Sequence, residues 1–219
     1  ETMFMAACTA VFVLYTVHGG QSSVIRTDLV QFIIILAGMI VLFSRALEVA
    51  GPGVLLSQSF PTSVEMGGWD VLSMILVVGS VYLIGPDMYS RLFSAKSARD
   101  AKVSAAIAAV ILIPLAFLIT YLGVFARSLY PAASPEQAFP VLLTGLLSPA
   151  TEGLVAASLL AAFMSSADTC LMTATSILTL DIYRKAFPCS SESKLMAVSR
   201  RFVLIIGFLA LVLAISMPG

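Results

Sequence analysis

The chain has 219 residues, 59% of them hydrophobic and 11% charged, and its 12 basic and 12 acidic residues cancel. A mean hydropathy of +1.02 exceeds what a soluble domain of this length can bury, so the solvent of the fold is lipid. Zero net charge gives no footprint for a nucleic-acid partner. The three cysteines, Cys8, Cys170 and Cys189, share no disulfide or metal spacing and read as small hydrophobes.

Six hydrophobic runs follow in chain order, at 2–17, 27–47, 67–85, 103–126, 153–180 and 202–217. Each is near the length of a helical membrane crossing, and none alternates as a barrel strand does. The expectation is an all-α, multi-pass protein of the cell membrane, a bacterial inner membrane, with one transmembrane domain over 1–219. Turn formers stand between the runs: His18-Gly19-Gly20, Gly51-Pro52-Gly53, Gly85-Pro86, and prolines 131, 135, 140 and 149. His18 is expected in a solvated turn, and Pro114, inside the fourth run, is expected to kink its helix rather than end it. The chain opens at Glu1 and closes at Gly219, directly after an apolar run, which reads as a piece of a longer protein.

Basic residues orient the spans. Loops 18–26, 86–102 and 181–201 hold ten lysines and arginines, against Arg45 and Arg127 on the other side. Those three loops are therefore expected in the cytoplasm, with 48–66 and 127–152 outside.

The second run begins Thr27-Asp28-Leu29-Val30-Gln31. Asp28 sits about one turn inside the boundary, with Gln31 on the same helix surface. An aspartate there also suits a helix N-terminus on electrostatic grounds alone.

The third run ends Ser80-Val81-Tyr82-Leu83-Ile84-Gly85-Pro86. Gly85-Pro86 ends or breaks the helix. Ser80 and Tyr82 then either face a substrate or pack at an ordinary span terminus.

The fifth run carries the densest chemistry. Ser158, Ala162, Ser165, Thr169, Met172 and Ser176 recur at helical spacing, bordered by Ser166, Asp168 and Thr173. Small and hydroxyl residues at that spacing also serve close helix packing. A carboxylate at mid-membrane is different, because it costs about 2.5–3.5 kcal/mol to insert and usually marks an ion or substrate path. Asp168 with the hydroxyls of Ser165, Ser166 and Thr169, and Asp28 from another helix, forms an oxygen set suited to a hard cation. The sequence shows no phosphate loop, no metal-spaced His/Cys set and no nucleophile–base pair, so an enzyme and an organic cofactor are not expected.

At these residues the chain resembles the sodium:solute symporter family. Four segments carry the likeness: Y-T-V-H-G-G with R-T-D-L-V-Q (15–31), G-P-D-M-Y-S-R-L-F-S-A-K (85–96), A-A-F-M-S-S (161–166) and T-L-D-I-Y-R-K (179–185). The resemblance implies a LeuT-like fold of two inverted five-helix repeats, with the six runs as core helices four to nine. It also implies a sodium site shared with the first core helix, here represented by the Ala162 carbonyl and the Ser165 and Ser166 hydroxyls. A second cation site between the fifth and eighth core helices corresponds to Asp28, Ser165, Asp168 and Thr169. Asp168 departs from the family pattern, where a small polar residue is more usual, which leaves sodium and proton as alternative coupling ions.

The function so implied is sodium-coupled uptake of a small organic solute by alternating access, with sodium, the solute and the lipid bilayer as partners. A membrane sensor joined to a signalling module is the alternative from another class, and a proton-coupled transporter is a variant of the first.

Overall fold

The computed structural model describes residues 2–56 and 66–216, and helix dominates them. In order they form α1 (Thr2–Ala50), α2 (Gly53–Leu56), α3 (Gly68–Ile84), α4 (Pro86–Phe93) and α5 (Ala98–Leu129). A 3-10 turn (Pro135–Gln137) leads into α6 (Ala138–Leu146), followed by α7 (Pro149–Ser176). A π-helical segment (Ile177–Tyr183) then continues into α8 (Arg184–Ala186), and α9 (Glu192–Ser216) follows.

Among the described residues four helical stretches are long and apolar enough to cross a membrane: Ser22–Ala50, Ala98–Leu129, Pro149–Ala186 and Glu192–Ser216. Ala6–Gly20 and Gly68–Ile84 are shorter apolar helices. The six expected runs thus all fall on apolar helices. At about 1.5 Å per residue, the 32 residues of α5 reach well beyond a hydrocarbon core of about 30 Å.

Local chemistry sets the helix ends. Gly51, at φ 76°, follows the last residue of α1 and donates its N–H to the Leu47 carbonyl at 2.9 Å, the left-handed stop that glycine takes without strain. The Asp70 carboxylate accepts the Gly67 N–H at 2.9 Å at the start of α3. Gly85 alone separates α3 from α4, and Pro86 opens α4, where its missing N–H costs nothing. Ser97 caps α5 by accepting the Asp100 N–H at 3.1 Å, with Asp100 in the favourable first turn. Pro114 lies inside α5 and does not end it.

Two expectations change. The turn drawn at 18–26 is helical except at Gly20, which stands at φ 55° and ψ −147° inside α1. That backbone region belongs to glycine, so one residue makes the break and His18 sits in the helix, bonded by Nδ1 to the Leu14 carbonyl at 2.8 Å. The stretch 127–152 is not one loop either, since α6 lies within it and buries Leu142. Of the other long connection, 48–66, α2 is described, while 57–65 lie outside the described residues.

The chain divides into two compact units, Glu1–Ile33 with Leu160–Gly219, and Ile34–Leu159. The second unit has its core at Met39, Leu42, Ala46, Leu122, Phe125, Ala126, Leu142 and Val155. The Phe43 and Phe125 rings meet edge to face at 5.7 Å, a geometry aromatic pairs favour. Gly38 in this unit lies against the Ser158 side chain, so closely that a Cβ at Gly38 would overlap it. This is the close approach that small residues allow between membrane helices.

In the first unit Val13, Leu171 and Val203 form the buried cluster. Gly207 of α9 receives the Val13 side chain where a Cβ would stand. Large apolar side chains remain exposed along α3, α5 and α9, among them Ile75, Leu83, Val110, Ile113, Phe208 and Leu213. In water such a surface would be an aggregation liability; in a membrane, lipid or neighbouring helices can cover it.

Candidate cation site

The first unit brings together residues far apart in sequence. Gly20 breaks α1, and the parts before and after it each contribute polar groups facing α7. Tyr15, from before the break, donates its phenol hydrogen to Asp168 Oδ2. Thr27 and Gln31, from after it, stand beside the same phenol. Asp28 accepts a hydrogen bond on Oδ1 from the Ser165 hydroxyl at 2.7 Å and lies near enough to Asp168 for the two carboxylates to interact electrostatically.

Asp168 is completely buried. Its Oδ1 has no hydrogen-bond partner among the described residues, and neither has Oε1 of buried Gln31. Leaving a buried acceptor unmatched costs about 1–3 kcal/mol, and more when it is charged. Two such acceptors in one neighbourhood are satisfied either by a bound cation or by a proton on Asp168. Thr175 and Thr179 add two further buried hydroxyl oxygens without partners, lower on the same helical run.

The hydroxyls on α7 are tied locally. Ser166 Oγ donates to the Ala162 carbonyl at 3.1 Å, and Thr169 Oγ1 to the Ser165 carbonyl at 3.0 Å. Each hydroxyl donor so engaged keeps oxygen lone pairs for a cation, and each carbonyl keeps a second lone pair. Ala162, Ser165 and Thr169 are half-buried and Ser166 is exposed.

The buried line on this helix differs from the polar stripe read in the sequence. Val155, Ser158, Ala161, Asp168, Leu171, Thr175 and, in the π segment, Thr179 are the buried positions, so only Ser158 of that stripe is fully buried. Asp168 is thus central to the packed face, not a border residue. The polar stripe marked composition, whereas burial follows what α7 packs against, and Tyr15 lies on that side.

Ser80 and Tyr82 belong to α3, in the other unit, and neither is buried: Ser80 turns its hydroxyl back to the Val77 carbonyl at 2.8 Å, and Tyr82 is exposed. Sequence reasoning gave Tyr15 no role, although it begins the Y-T-V-H-G-G segment. The signal available was a lone phenol one turn before a glycine pair that returns the chain toward Asp28.

The donor set is carboxylate, amide, hydroxyl and carbonyl oxygen, which suits a hard monovalent or divalent cation in place of a transition metal. Among the described residues no group of three or more His, Cys, Asp or Glu stands ready for a metal ion.

The profile of the sodium:solute symporter family matches residues 2–219. A sodium/glucose cotransporter of Vibrio parahaemolyticus is 28% identical over 99% of this chain and 47% of its own length. Sodium/glucose cotransporter 4 of Danio rerio is 27% identical over 97% of this chain and 39% of its own. The human sodium/myo-inositol cotransporter 2 is 26% identical, with 90% and 36% covered. The chain spans less than half the length of these curated relatives. With a family profile matched from residue 2 to residue 219, the chain belongs to the sodium:solute symporter family.

Proposed function

We propose that this protein carries out sodium-coupled uptake of a small organic solute by alternating access. The observation that supports this most directly is Asp168, fully buried, with one oxygen held by Tyr15 and the other without a donor among the described residues. A membrane protein retains such a carboxylate where a cation binds or passes.

Two cation sites are assigned. The first uses the Ala162 carbonyl with the Ser165 and Ser166 hydroxyls. The second uses Asp28, Asp168 and Thr169. Ser165 connects them, because its oxygen serves the first site while its hydrogen goes to Asp28. Sodium in both sites stabilises whichever conformation presents all these oxygens, and a ligand shifts a conformational equilibrium only through such a difference in affinity. The Ser80 and Tyr82 side chains on α3 are assigned to the solute path. Relatives named for glucose and myo-inositol make a neutral polyhydroxylated molecule the first solute class to examine.

The test is uptake of labelled glucose and myo-inositol by proteoliposomes holding the native full-length protein. Accumulation under an inward sodium gradient, absent with potassium, supports the proposal. Accumulation driven by a proton gradient alone would transfer coupling to protons. Sodium binding without any solute flux would favour a sensor.

A further inference from the structure

The second cation site as assigned leaves two observations unused, the unmatched Gln31 oxygen and the Tyr15 phenol. Gln31 is 8% exposed and Asp168 is 0% exposed, and each presents a side-chain oxygen with no hydrogen-bond donor among the described residues. Both flank the Tyr15 hydroxyl. Gln31 lies one turn after Asp28 on the same limb of α1, so its side chain reaches the same side of that helix.

We propose that Gln31 Oε1 is a further ligand of the second cation site, and that Tyr15 is the positioning residue that sets the ion preference of that site. The inference rests on the transport reading above. The Gln31 oxygen is buried without a donor among the described residues, and a cation satisfies it together with Asp168 Oδ1. A carboxylate with both oxygens free would pivot and grip ions of different radii. With Oδ2 held by the phenol, Asp168 offers one oxygen in one place, and the site accepts a narrower range of ion sizes. Outer-shell hydrogen bonds orient ligands of bound metals in the same manner.

The test uses the native full-length protein in detergent, with its melting temperature followed against sodium, lithium and potassium chloride. Gln31→Leu is expected to raise the sodium concentration for half-maximal stabilisation about tenfold. Gln31→Glu has the same length, keeps an oxygen in place and adds charge, so it is expected to lower that concentration. This variant keeps the question open should the leucine variant fail to fold. Tyr15→Phe is expected to narrow the preference for sodium over lithium and potassium at least about threefold, a change that simple loosening of the fold does not produce.

Unchanged sodium dependence in both Gln31 variants, or an unchanged ion preference in Tyr15→Phe, overturns the assignment. Ser166→Ala, in the first site, separates two kinds of failure. If it weakens sodium stabilisation while the Tyr15 and Gln31 variants do not, this inference falls and sodium coupling stands. If sodium stabilises not even the wild type, both fall.

Discussion

The Ser165 hydroxyl donates to Asp28 Oδ1 at 2.7 Å, joining two residues 137 positions apart in the chain. The bond fixes the direction of the serine hydrogen and thereby aims its lone pairs elsewhere. One hydroxyl is in this way assigned to both proposed sites, so occupancy of either is expected to be felt at the other.

Ser165→Ala removes both roles. A hydrogen bond to a charged group contributes about 1.5–3 kcal/mol, so sodium affinity is expected to fall between about tenfold and a hundredfold. Ser165→Thr keeps the hydroxyl and is expected to recover most of the loss. Sodium-22 binding to the purified protein checks both, and equal affinities in alanine and wild type would remove Ser165 from the site.

Asp168→Asn separates charge from shape. The Tyr15 phenol still finds a carbonyl oxygen, but a buried negative charge is gone. Without sodium the variant is expected to melt higher than wild type, because an uncompensated buried charge costs several kcal/mol, roughly. With saturating sodium the order is expected to reverse. Melting curves at zero and high sodium test the crossing; parallel curves would make Asp168 a packing residue.

Gly20 is a backbone requirement. At φ 55° and ψ −147°, a side chain is strained even though nothing lies within 4 Å of the added carbon. Gly20→Ala is expected to cost about 1–3 kcal/mol and to weaken sodium binding as well, since the break is what lets Tyr15 and Asp28 serve one neighbourhood. A variant that melts lower yet binds sodium normally would limit Gly20 to stability.

Within the Ile34–Leu159 unit, Gly38→Ala places a carbon against the Ser158 side chain. Overpacking of this kind costs about 1–3 kcal/mol, and Ser158→Gly is expected to restore most of it. A double-mutant cycle on melting temperature measures the coupling, and additive effects would deny the contact.

Much of this was legible in the sequence. The helices follow from apolar runs of membrane length, and their ends from Gly51-Pro52-Gly53 and Gly85-Pro86, where backbone chemistry is local. Ser165, Asp168 and Asp28 stood out because hydroxyls and carboxylates are conspicuous in lipid-solvated helices. Tyr15 did not, since a phenol is ordinary in a membrane helix and its partner lies 153 residues away. The π segment at Ile177–Tyr183 was equally hidden. It reassigns the faces of the residues after Ser176, and a period of 3.6 carried through it misplaces them. The Gly19-Gly20 pair reads as a turn in the sequence, whereas the helix resumes directly after Gly20, so one residue suffices for the break.

The most direct test of sodium–solute coupling is sodium-22 entry into proteoliposomes containing the native full-length protein, with and without a gradient of glucose or myo-inositol and no initial sodium gradient. A symporter is expected to draw sodium inward when the transported solute is added outside, and Ser165→Ala is expected to abolish most of that flux. Sodium entry that is unaffected by either solute, in a preparation shown to take up one of them, would contradict sodium-coupled symport.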